Sequence, residues 1–308
     1  MAITRFPKDR GLSARMGLTI FLIGLLYVVF ISLLIAVGVQ SVTVIIIAAA
    51  LLFSQYYFSD KIALYSMGAR IVTREQAPEL HAIVDRLVAM ADMPKPQVAV
   101  ADIDMPNAFA TGRSPKAAVV CATTGLLRRL DNQEIEAVLA HELSHVAHKD
   151  VAVMTIASFL GMVAGFLTRI ALWSGMFMGG GNSRGNNNSN SNAAVIELAV
   201  VVVSAIIYAI SFLLTRALSR YRELSADRSG AILIGRPSML ASALVKVSGE
   251  MGRIPTRDLR SASAFNAFYF APALTQGVSL GNLVSTHPTL EKRLEQLSKL
   301  EEQMNRPS

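Results

Sequence analysis

Residues 137–150 read AVLAHELSHVAHKD, and the rest of the chain takes its meaning from this stretch. It sets His141, Glu142 and His145 in the spacing H-E-x-x-H. On a helix the two histidines lie one turn apart on the same face, so their imidazoles can converge on one ion. A zinc ion in a hydrolase takes three protein ligands and keeps a further position for water. Glu142, beside the first histidine, is placed to accept a proton from that water, and the chemistry implied is peptide hydrolysis. The helix itself is expected from Ile135, Val138 and Leu139 at helical spacing, with Asp131 or Asn132 followed by Glu134 as its capped start.

Working outward, 52% hydrophobic residues and only 17% charged residues are unusual for a soluble chain of 308 residues. Four apolar runs account for this, at residues 16–38, 42–58, 151–178 and 193–215. Each reaches or approaches the roughly 20 residues that cross a bilayer as a helix. The first is too long for a cleaved leader and is followed almost at once by the second. Arg5, Lys8, Arg10 and Arg15 precede it, whereas the link between runs three and four carries only Arg184, so the amino terminus is expected on the cytoplasmic side. Four crossings then return the polar segments to that side. The net charge of +7 belongs to residues flanking apolar runs rather than to an aromatic-interleaved patch, so no nucleic-acid partner is expected. The single Cys121 excludes an internal disulfide.

This divides the chain into an apolar hairpin at 1–59, a first catalytic segment at 60–150, a second apolar pair at 151–215 with a glycine- and asparagine-rich link at 179–192, and a second catalytic segment at 216–308. The fold class expected is α+β, mostly helical, with four transmembrane helices, or two with two more lying against the membrane, and a small β-sheet. In the first catalytic segment residues 78–90 repeat apolar side chains at three and four residue intervals, predicting an amphipathic helix that carries His81 at its surface. Residues 97–101, 107–111 and 117–122 read as short strands, and Thr123 or Thr124 as the cap of a short helix through Leu130. The middle strand is either a plain hairpin partner or a sheet edge that pairs with an extended substrate. With no turn residue before Val151, the zinc helix is expected to run on into the third apolar run, with the site ~9 Å from its start.

The third ligand has to come from elsewhere. An all-histidine set would need glycine and histidine where the chain has His148 and Val151. A glutamate from a second helix is the other common solution, and Glu223 with Asp227 has the i, i+4 geometry for one carboxylate on zinc and another on a ligand histidine. The alternative is a solvated acidic face beside Arg220, Arg222 and Arg228. His287, before Pro288, is either a donor to the reacting oxyanion or a turn histidine opening the last helix.

Several stretches together resemble peptidase family M48, and within it the HtpX-type membrane proteases: NAFATG at 107–112, GLLRRL at 125–130, AHELSHVAHKD at 140–150, RELSADRSGA at 222–231 and STHPTLEKRLEQL at 285–297. The resemblance implies a gluzincin-type metallopeptidase domain with one Zn2+ on His141, His145 and Glu223, Glu142 as the base, and Asp227 supporting a ligand histidine. It also implies that Asn107, Ala108, Phe109 and Ala110 pair with substrate. The expected activity is a zinc endopeptidase of the bacterial inner membrane, facing the cytoplasm and cleaving misfolded or damaged membrane proteins in a stress response, with other quality-control proteases among its partners. The competing expectation, from a different class, is an inactive holdase or scaffold that keeps a structural zinc site.

Overall fold

A computed structural model describes residues 10–36, 41–112, 114–150, 153–154, 187–251 and 287–306. Its contacts divide the chain into two compact units. One holds residues 14–56 and 153–215; the other holds residues 57–152 and 216–308 with the first thirteen residues.

The apolar unit is built on long helices. The first run lies in α1 (Arg10–Ala36) and the second in α2 (Ser41–Ser66). Among the described residues, two helical stretches are long and apolar enough to cross a membrane, Arg10–Phe30 and Val201–Ile234. The third run lies outside the described residues except for 153–154, as do residues 179–186 of the polar link. The rest of that glycine- and asparagine-rich link is helical: α6 (Asn187–Ile234) starts within it and continues without a break for 48 residues.

The second unit wraps helices around a four-stranded mixed sheet of order β1-β2-β4-β3. Its strands are β1 (Ala69–Ile71), β2 (Gln97–Ala101), β3 (Ala108–Thr111) and β4 (Val119–Thr123). β2 and β4 run parallel, and the outer strands pair antiparallel to them. Side chains alternate between the faces, as strand geometry requires. Val98, Val120, Ala122 and Ala108 enter the main core with α3 (Pro78–Ala91), α5 (Asn132–Ala147), α7 (Pro237–Met251) and α8 (Leu290–Asn305). Ala99, Ala101, Val119, Cys121 and Phe109 pack on the other face with Ala63 and Met67 from the end of α2. A short α4 (Thr124–Arg129), capped by the Thr123 side chain, leads from the sheet to α5.

The start of α5 is a capping box, with Asp131 accepting from the Glu134 backbone and Glu134 returning to the Asp131 backbone. Glu134 also meets Lys246 at 2.5 Å and Ser242 at 2.7 Å, which fastens α5 to α7. The other end corrects the expectation of a continuous helix. α5 stops at Ala147, and Lys149 adopts a left-handed φ of 59°, which turns the chain before the third apolar run. His81 is corrected as well: it is buried in α3, its Nε2 3.0 Å from the Val72 carbonyl and its Nδ1 3.1 Å from Lys95.

Candidate metal centre

Two helices and two connections build the site, all within the second unit. α5 carries His141, Glu142 and His145, and its apolar neighbours Val138, Leu139 and Leu143 hold it in the core. α6 carries Glu223 and Asp227, one turn apart. The helices approach closely because residue 230 is glycine: a Cβ there would stand 3.0 Å from the Ala140 carbonyl carbon. His287 follows the undescribed residues 252–286 and stands just before α8.

The two imidazoles face one another with their Nε2 atoms 3.3 Å apart. Glu223 completes the group, Oε2 3.6 Å from His141 Nε2 and Oε1 3.5 Å from His145 Nε2. One ligand atom from each of these three residues lies within 4.8 Å of the others, and all three residues are buried. The opposite nitrogens are committed elsewhere. His141 Nδ1 lies 2.9 Å from Asp227 Oδ1, and His145 Nδ1 donates to Asp150 Oδ2 at 2.7 Å. With hydrogens on both Nδ1 atoms, each Nε2 presents a lone pair to the other and to a carboxylate. Such an arrangement is repulsive unless a cation stands between them.

Charge counting agrees. Four carboxylates (Glu142, Asp150, Glu223, Asp227) and two guanidiniums (Arg222, Arg293) are each no more than 9% exposed. With neutral histidines this leaves two negative charges, which one divalent cation balances. Without a metal, a proton on His141 offsets one of the two. Burial opposes a charged His141, but Asp227 and Glu223 outweigh it and hold its pKa up at about 9. Imidazole nitrogen and carboxylate oxygen are also the donor types that zinc accepts.

Glu142 extends from the same turn as His141 and is 5% exposed. Burial raises its pKa, and the backbone N–H of Ala110, 3.0 Å from Oε2, acts in the opposite direction. That N–H comes from β3, an outer strand of the sheet. Thr123 N donates to Asn107 O on the inner side, so the alternation of the antiparallel ladder turns the backbone groups of Ala108 and Ala110 away from β4. Asn107, Ala108 and Phe109 are themselves nearly fully buried, and the Asn107 backbone is tied to Thr123 Oγ1 at 2.9 Å. Gly112, with φ 127°, ends the strand where a Cβ would strike the Ala117 carbonyl.

The structure brings His141, Glu142, His145, Glu223 and Asp227 together, whereas of residues 107–110 only Ala110, through its backbone N–H, meets one of them, and Phe109 packs on the other face of the sheet. His287 belongs there too, its Nδ1 3.1 Å from Glu223 Oε2. Three residues escaped the sequence reading: Asp150, Arg222 and Arg293. Asp150 was hidden because a helix through residue 150 would carry it away from His145, and only the turn at Lys149 returns it. Arg293 lies 66 residues from Asp227, beyond any local pattern.

Comparison with known proteins agrees with this geometry. The model for peptidase family M48 matches residues 74–301. The chain is 59% identical over 298 residues to "Protease HtpX homolog 1" of Streptomyces coelicolor, covering 96% of this chain and 95% of that one. It is 53% identical to the "Protease HtpX homolog" of Moorella thermoacetica, covering 96% and 97%. Among solved structures, Ste24p of S. mikatae shares the fold with a TM-score of 0.54 at 17% identity, matching 89% of this chain and 62% of its own. By its family model, its full-length protease relatives and the helix pair that unites His141, His145 and Glu223, this chain belongs to peptidase family M48, a family of metallopeptidases.

Proposed function

We propose that the chain is a zinc-dependent endopeptidase of the bacterial inner membrane, cleaving misfolded or damaged membrane proteins on the cytoplasmic side. The observation that carries this is the convergence of His141, His145 and Glu223 with Glu142 alongside. His141, His145 and Glu223 would hold the zinc ion, which would supply a Lewis acid and a more acidic water. Glu142 takes the proton from the attacking water and delivers it to the departing amide nitrogen. Asp227 and Asp150 keep the imidazoles turned with Nε2 inward. His287, which meets Glu223 through Nδ1, is the proposed donor toward the carbonyl oxygen as charge develops on it.

The outer strand supports the choice of substrate. β3 is an outer strand of the sheet, and its Ala110 lies beside Glu142. Backbone pairing selects an extended chain and asks little of its side chains. Unfolded segments meet that requirement and folded proteins do not. Four membrane crossings, with Arg5, Lys8, Arg10 and Arg15 on the inner side, would put the catalytic segments in the cytoplasm.

The test is zinc analysis and turnover of a loosely folded membrane protein by detergent-purified wild type and Glu142→Gln. Zinc near one per chain in both, with turnover only in the wild type, is expected. Equal turnover in both would sink the mechanism, and zinc without turnover in the wild type would favour the holdase or scaffold.

A further inference from the structure

Each histidine of the centre is the end of a three-membered chain. One runs His141–Asp227–Arg293 and joins α5, α6 and α8; the other runs His145–Asp150–Arg222 and joins α5, the turn after it, and α6. The two chains differ in how the guanidinium holds its aspartate. Arg293 engages both oxygens of Asp227, Nε to Oδ2 at 2.7 Å and a terminal nitrogen to Oδ1 at 2.6 Å. This fork fixes the plane of the carboxylate as well as its position. Arg222 brings Nε to 3.1 Å of Asp150 Oδ2, the same oxygen that takes the His145 hydrogen.

We propose that Arg222 and Arg293 are positioning residues that set how tightly the centre holds its cation, by locking the aspartates that orient the two ligand imidazoles. The inference rests on the metal-site reading above and adds to it. An aspartate without its arginine is free to turn, and the histidine then loses the fixed acceptor that keeps its Nε2 pointed inward. The relays also put the two guanidiniums outside the ligand set, where they hold the aspartates in place without occupying the space where the cation sits. The forked grip of Arg293 makes its geometry irreplaceable by a lysine, whose ammonium is a single point of charge. Arg222, which meets one oxygen of Asp150 at 3.1 Å and His145 Nδ1 only at 3.5 Å, should tolerate that exchange better.

The experiment is competition for zinc between the detergent-purified full chain and a chromogenic chelator, with thermal unfolding of the metal-free protein measured in parallel. Arg293→Lys is expected to raise the zinc Kd by about 10- to 100-fold, the usual cost of losing support behind a ligand. Arg222→Lys is expected to raise it several-fold less. In an Asp227→Asn background, Arg293→Lys should add nothing further, because its effect passes through Asp227. A role in folding alone would lower the metal-free melting temperature and add its effect in both backgrounds.

A folded Arg293→Lys protein with wild-type zinc affinity would overturn the proposal, as would full additivity in the double variant. If Arg293→Lys does not fold, Arg222→Gln carries the same comparison, and an unchanged Kd there overturns it equally. Failure of the underlying metal reading would look different, since the wild type itself would then bind no zinc.

Discussion

Gly230 and His141 meet backbone to backbone: a Cβ on Gly230 would lie 2.8 Å from the His141 nitrogen and 3.0 Å from its Cα. Neither of those atoms can move without moving a ligand. Alanine normally favours a helix over glycine by about 1 kcal/mol, but here the clash outweighs that gain. Gly230→Ala is expected to destabilise the protein by about 1–3 kcal/mol, as overpacking does, and to lower zinc affinity by spreading α5 from α6. Denaturant unfolding and zinc titration check both, and a more stable variant would contradict the close approach.

Ala110 supplies its backbone N–H to Glu142 at 3.0 Å, away from β4. Proline is tolerated on an outer strand when its missing N–H does not belong to the ladder. Ala110→Pro should therefore keep fold and zinc while lowering kcat about tenfold, the cost of one orienting hydrogen bond. Ala110→Ser, which retains the N–H, should stay near wild type. Turnover per bound zinc measures the difference.

Lys149 holds a φ of 59° with its side chain exposed. Glycine adopts that conformation without the Cβ penalty of about 1–2 kcal/mol. Lys149→Gly is expected to keep zinc and to match or slightly exceed wild-type stability, whereas the β-branched Lys149→Val should lose both. Parallel melting curves with and without zinc would reveal a continuous helix instead, in which valine would be harmless.

Cys121 is completely buried on the inner strand β4, and burial pushes its thiol pKa up to about 12. A thiol with so high a pKa is almost wholly protonated at neutral pH, and reactivity rises only as the pH climbs toward that value. Alkylation at pH 8 should label the denatured protein and leave the native protein unlabelled. Rapid labelling of the native form would show that β4 opens.

The candidate metal-binding pattern was legible because its geometry is local. His141 and His145 share a face by spacing alone, and Glu223 with Asp227 does the same on α6, so each half could be read from a few neighbouring residues. The strands expected at 97–101 and 107–111 showed through their bounding turn residues, and β2 and β3 fall within them. β1 did not, since its three residues gain their strand geometry from pairing with β2 rather than from any pattern of their own. The stop at Lys149 was equally silent: nothing in AHKDVA breaks a helix, and the reward for the turn is the bond from His145 to Asp150. His81 gave no sign of its burial because its partners, Val72 and Lys95, come from outside α3.

The pieces of the centre leave the ribosome at different times. Residues 141–150 come first, 222–227 some seventy residues later, and Arg293 last of all, on α8. A nascent chain that has only just made its HExxH segment has neither its acidic ligand nor the clamp on Asp227. The three candidate ligands can therefore come together only once synthesis has passed residue 223, and the arginine clamp on Asp227 arrives only after residue 293.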